Sequence, residues 1–77
     1  MRQLPIQIRS FGDIQAFVAL ATVQPFRVTA NHEEHQVNAK SFIGMMCLDY
    51  SQPLSVCCEC DDADFQSFRQ QASRFLA

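Results

Sequence analysis

The sequence predicts one α+β domain over residues 1–77: an open-faced sandwich of order βαββαβα, with a four-stranded, mainly antiparallel sheet covered by three helices on one face. Three observations lead there. Four short segments alternate apolar and polar residues with the period of a half-buried strand, and three others place apolar residues at helical spacing. Every strand keeps one polar side, which suits an antiparallel or mixed sheet covered on a single face. Finally, a chain of 77 residues supports only one domain, and its 48% apolar and 18% charged residues are a folded composition.

Leu4, Ile6 and Ile8 alternate with Pro5, Gln7 and Arg9 as a first strand, and a proline on the polar side marks an edge or a strand start. Ser10, three residues before Asp13, caps a helix whose apolar face is Ile14, Phe17, Val18 and Ala21, and which Pro25 closes. Phe26, Val28 and Ala30, then His35, Val37 and Ala39, form two strands flanking a polar turn at Glu33 and Glu34. That turn lacks an Asn-Gly signal, so its length stays open. Ser41 caps a short helix, and Ser51, Gln52 and Pro53 make a loop. A fourth strand carries Val56, Cys58 and Cys60 on one side and Cys57 on the other. Asp61, Asp62 and Asp64 start the last helix, whose face of Phe65, Phe68, Ala72, Phe75 and Leu76 runs to the end of the chain.

A net charge of -2, with Lys40 the one lysine and five scattered arginines, leaves no basic stripe for nucleic acid. The N-terminal residues are too interrupted by polar side chains for a signal peptide, and the apolar run from Ala16 to Ala21 is too short to span a bilayer. A cytoplasmic location is the expectation, with the four cysteines reduced.

From Phe42 to Leu48 every residue except Gly44 is apolar, so the short helix is hydrophobic all round. A small domain cannot bury every side of it; part of Phe42, Ile43 and Met46 should stay exposed as a docking surface, the competing expectation being that all are core. The segment Val37-Asn38-Ala39-Lys40-Ser41-Phe42-Ile43-Gly44-Met45-Met46-Cys47-Leu48 closely resembles the Val-Asn-Ala-Lys-Ser-Ile-Met-Gly-Val-Met-Ser-Leu segment of HPr proteins, matching at 37–41, Gly44, Met46 and Leu48. HPr is the phosphocarrier of the bacterial phosphoenolpyruvate-dependent sugar phosphotransferase system, and its element order agrees with the one read here. The resemblance implies that Ser41 stands where an ATP-dependent HPr kinase/phosphorylase modifies the family. It implies that Lys40, Phe42, Ile43 and Met46 stand where the family meets enzyme I, that kinase and a catabolite-control transcription factor. A phosphoserine at a helix start would also meet free backbone N–H groups.

The carrier histidine of HPr lies in a Gly-Leu-His-Ala-Arg-Pro stretch between the first strand and first helix. This chain has Arg9-Ser10-Phe11-Gly12-Asp13-Ile14-Gln15-Ala16 there, on a shorter loop, and no histidine precedes His32. Ser10 has no strong base to activate it, and Asp13, which could form an acyl phosphate, reads more simply as a first-turn helix carboxylate. The expectation is a non-enzymatic regulatory or adaptor protein without cofactor, a divergent phosphocarrier being the rival.

Other groups carry less. Cys57, Cys58 and Cys60 raise a metal- or thiol-binding module, but they lack knuckle spacing and alternate in direction, so buried thiols facing the helices are expected and no metal. Asp61, Asp62 and Asp64 lack the glycine and glutamate of a calcium loop. His32 and His35 belong to the hairpin, away from the carrier position, where a surface pair is usually solvated, the alternative being a His35 that partly faces the core. The open face of the sheet could take a small molecule, as in ACT-like domains, though no glycine-rich ligand loop accompanies it.

Overall fold

The computed structural model describes residues 2–77. Its elements are β1 (Arg2–Ile6), α1 (Phe11–Thr22), β2 (Arg27–His32), β3 (His35–Asn38), α2 (Phe42–Met46), β4 (Leu54–Glu59) and α3 (Asp62–Gln71), followed by a 3-10 turn over Ser73–Phe75. The four strands form one antiparallel sheet in the order β1-β4-β2-β3. Fold class and element order are those expected from the sequence.

Alternation along the strands sorts side chains between two faces. Leu4, Ile6, Val28, Ala30, Leu54, Val56 and Cys58 are buried in one core with Phe17 of α1, Met45 of α2 and Phe68 of α3. Phe17 meets the rings of Phe68 and Phe75 edge-on at 6.2 and 5.5 Å, and Phe26 meets Phe68 at 5.9 Å. Such pairs each add about 0.5–1.5 kcal/mol beyond area burial, a useful supplement in so small a core.

Several boundaries differ from the sequence reading. β1 ends at Ile6, although Ile8 remains buried; Gln7 N instead donates to Phe75 O at 2.7 Å, and Ala77 N donates to Pro5 O at 3.1 Å. The tail therefore covers the outer edge of β1. Because the Pro5 carbonyl points to the tail, its missing N–H falls outside the ladder with β4, as an edge proline requires. α1 stops at Thr22, before Pro25, and the Gln24 amide folds back to Leu20 O at 3.0 Å. α3 stops at Gln71; Phe75 and Leu76 reach the core from the turn and tail, not from a continuing helix face.

β4 ends at Glu59, leaving Cys60 just outside it and half-buried. Cys58 faces the helices as expected, while Cys57 lies on the uncovered face yet is also buried, its thiol accepting from Asn31 Nδ2 at 3.3 Å. The hairpin turn is only Glu33 and Glu34, with His32 and His35 paired across it. His35 is exposed, as a surface hairpin residue usually is, and does not turn partly toward the core; His32 is the more shielded of the two, with Nε2 4.0 Å from Asp49 Oδ2.

Candidate functional site

The segment singled out in the sequence begins where β3 stops. Asn38 Oδ1 accepts from Lys40 N at 2.9 Å, and Asn38 O accepts from Ser41 N at 2.9 Å, so asparagine chemistry turns the chain out of the sheet. Ala39 is fully buried in this turn and donates its N–H to Val28 O. Lys40 Nζ donates to Gln24 O at 2.7 Å, placing a cation just beyond the C-terminal end of α1, where the helix dipole favours it.

Ser41 has the extended backbone of an N-cap, and its Oγ accepts from Gly44 N at 3.2 Å. A Cβ added to Gly44 would lie 3.3 Å from Ser41 Oγ and 3.4 Å from Val37 Cβ, so the glycine lets α2 sit close against β3. Met45 is the anchor, fully buried, with Leu48 beside it. The Tyr50 hydroxyl, held well above its usual pKa at about 12 chiefly by burial, donates to Met45 O and ties down the loop after α2.

The opposite side of α2 is left uncovered. Ile43 is 77% exposed and Met46 50%, with Ser41 and Cys47 also exposed. Phe42 is half-buried because Phe11, the first residue of α1, stands edge-on to it at 5.6 Å. Phe11 is itself 54% exposed and extends the apolar surface from α2 to the start of α1. The sequence reading did not assign it a role; its only signal is an aromatic residue at a first-turn position where nothing in α1 itself can cover the ring.

At that helix start Ser10 Oγ accepts from Asp13 N at 3.1 Å, and Asp13 Oδ2 accepts from Arg9 N at 3.0 Å. The Ser10 cap satisfies one of the helix's unpaired donors, and the Asp13 carboxylate reaches back to the amide that precedes the cap. Arg74, whose guanidinium lies over the Phe75 ring, reaches Asp13 Oδ1 at 3.4 Å. Asp13 is thus committed to capping and to an ion pair. A hollow of about 300 Å³ beside it is lined by Ile8, Arg9, Ser10, Phe11, Ile14 and Tyr50. Ser10 and Phe11 therefore share one side of the molecule with α2, whereas both histidines stand on the β2–β3 hairpin.

All four cysteines are free thiols. Burial, reinforced by Cys60 and Cys57, pushes the Cys58 thiol up to about 12, and burial followed by Asp64 and Asp61 raises that of Cys60. Such thiols are poor nucleophiles and poor metal ligands at neutral pH. Among the described residues no three metal-ligating side chains come together, and no helix is long and apolar enough to cross a membrane.

An antiparallel sheet ordered β1-β4-β2-β3 with three helices on one face defines an HPr-like fold. No protein-family model and no curated protein matches the sequence. Among solved structures, the crystal structure of HPr-C-His from Thermoanaerobacter tengcongensis is similar with a TM-score of 0.75, at 23% identity, over 95% of this chain and 92% of that one. At that identity the likeness is one of fold, and the residues described above carry the functional argument.

Proposed function

We propose that this protein is a regulatory adaptor of the bacterial phosphoenolpyruvate-dependent sugar phosphotransferase system. It acts in the cytoplasm, without catalysis of its own, and is modified on Ser41 by an ATP-dependent HPr kinase/phosphorylase. Enzyme I or a catabolite-control transcription factor reads it through Phe42, Ile43 and Met46, with Lys40 at the margin. The observation that carries this reading is an exposed serine hydroxyl opening a helix whose Ile43 and Met46 project into solvent next to Phe11 and Phe42. In the modification, the Ser41 oxygen bonds to the γ-phosphorus of ATP, ADP leaves and the hydroxyl proton is released. Added charge beside an apolar contact surface alters which partner that surface accepts.

Carrier chemistry is disfavoured by the residues at the start of α1. No imidazole lies there, a serine phosphoester is too stable for ready onward transfer, and Asp13 is held by the Arg9 amide and Arg74. The test is incubation with ATP and HPr kinase/phosphorylase, read by intact mass and peptide mapping. One phosphoryl group on Ser41, absent in Ser41→Ala, is the expected result. No mass gain, or equal labelling of Ser41→Ala, overturns the proposal. Label passed from phosphoenolpyruvate through enzyme I to this chain would establish the rival phosphocarrier reading.

A further inference from the structure

The uncovered face of the sheet, away from α2, holds a second constructed surface. Registration across the strands sets Gln3, Cys57, Thr29 and Asn38 in one row and Pro5, Ser55, Asn31 and Gln36 in the next. The middle of these rows is made of short side chains, Cys57, Ser55 and Thr29, while longer ones stand around them. Asn31 Nδ2 bridges Ser55 O at 3.2 Å and the Cys57 thiol at 3.3 Å, tying β2 to β4 on this face. Beyond the first row, Arg27 and Glu59 face one another across β2 and β4. Beside the short Thr29, at the β2–β3 side of this face, lies a hollow of about 320 Å³ lined by Arg27, Thr29, Gln36, Val37, Asn38 and Glu59, within the size range of small-ligand sites.

Its chemistry narrows the ligand. One cation and one carboxylate stand at the same end, and the rest of the lining is neutral and hydrogen-bonding apart from Val37. A simple anion attracted by Arg27 would meet Glu59, a simple cation would meet Arg27, and an apolar molecule would find little to cover it. A zwitterion satisfies both charges. The Arg27–Glu59 contact is itself loose, 3.7 Å between Nε and Oε2 with both side chains well exposed, so separating the pair forfeits little. Asn38 has its oxygen occupied by the Lys40 amide, which leaves its NH2 group to donate, and Thr29 and Gln36 supply both donors and acceptors.

We propose that this hollow binds a free α-amino acid with a short polar side chain, its carboxylate on Arg27, its ammonium on Glu59 and its side chain over Thr29, Gln36 and Asn38. The site uses neither the Ser41 hydroxyl nor the exposed α2 side chains, although Asn38 also shapes the turn that leads to Ser41. The experiment is an amide NMR titration of the intact protein with serine, asparagine and glutamine, each to about 20 mM, the range of weak small-ligand affinity. Saturable shifts confined to residues 27, 29, 36, 38 and 59 are expected. Arg27→Met and Glu59→Gln should each weaken binding at least about tenfold while keeping the native spectrum elsewhere. Gln36→Ala, on an exposed edge strand, gives a third variant expected to weaken binding, and Ile43→Asp should leave it unchanged. The proposal is overturned if no amino acid gives saturable shifts, if acetate or methylamine alone binds as well, or if the Arg27 and Glu59 variants bind like the parent.

Discussion

Glu33 stands at the first central position of the two-residue turn between β2 and β3 with φ of 54°, the one residue other than glycine at positive φ among those described. For a side chain with a Cβ this left-handed conformation costs roughly 1–2 kcal/mol. The favoured two-residue hairpin turns demand it nonetheless, because only their twist matches that of the flanking strands. Glu33→Gly is therefore expected to raise unfolding free energy by about 1 kcal/mol, allowing for the greater entropy of glycine in the unfolded chain, as measured by urea titration. Glu34→Gly, at a position without positive φ, should lower it. The absence of a glycine or asparagine in this turn is also why the sequence left the loop length open. A glutamate gives no sign that it will accept this backbone until the paired strands impose it.

Among the helices, the two glycines make opposite predictions. In α1 a Cβ on Gly12 would meet only Ser10 Oγ, at 3.7 Å, so Gly12→Ala should stabilise the protein by up to about 1 kcal/mol through helix propensity. In α2 a Cβ on Gly44 would press on Val37 Cβ and on the capping oxygen of Ser41, neither of which is the free end of a long side chain. Gly44→Ala should therefore destabilise despite the same propensity gain, and thermal melts of the two variants should move in opposite directions. These elements also show what the sequence could reveal. The start of α2 was legible because a cap and its helix are neighbours in the chain, as are Ser10 and Asp13 at α1. The end of α3 was not, because Phe68, Ala72, Phe75 and Leu76 keep a helical spacing while residues 75–77 hydrogen-bond to β1. The role of Phe11 is illegible for the same reason: its partner Phe42 is remote in sequence, and only packing brings the rings together. The site on α2 was visible as a run of apolar residues that a small core could not absorb, whereas the hollow on the opposite face exists only through strand register.

For the molecule as a whole, the acidic protons of buried Cys58 and half-buried Tyr50 carry the largest part of the response to alkali. Cys58 is raised from 9.0 to about 12 and Tyr50 from 10.0 to about 12, both first by burial. In each case the folded chain keeps its proton over a pH interval in which the unfolded chain has lost it, so stability falls as pH rises. The contribution is fully present below pH 9 and drains away between about pH 9 and pH 12, which urea midpoints across that range would show. Cys58→Val, which removes the thiol at similar volume, should flatten the upper part of the profile. The sheet order has a different consequence, in the time it takes to make the chain. β1 pairs with β4, Ile6 facing Leu54, and its outer edge waits for residues 75–77. β1 therefore has no native partner in the sheet until β4 has been synthesised. Leu4 and Ile6 must spend that interval in contact with water, the exit tunnel or a chaperone, and native closure waits on residues 54–77.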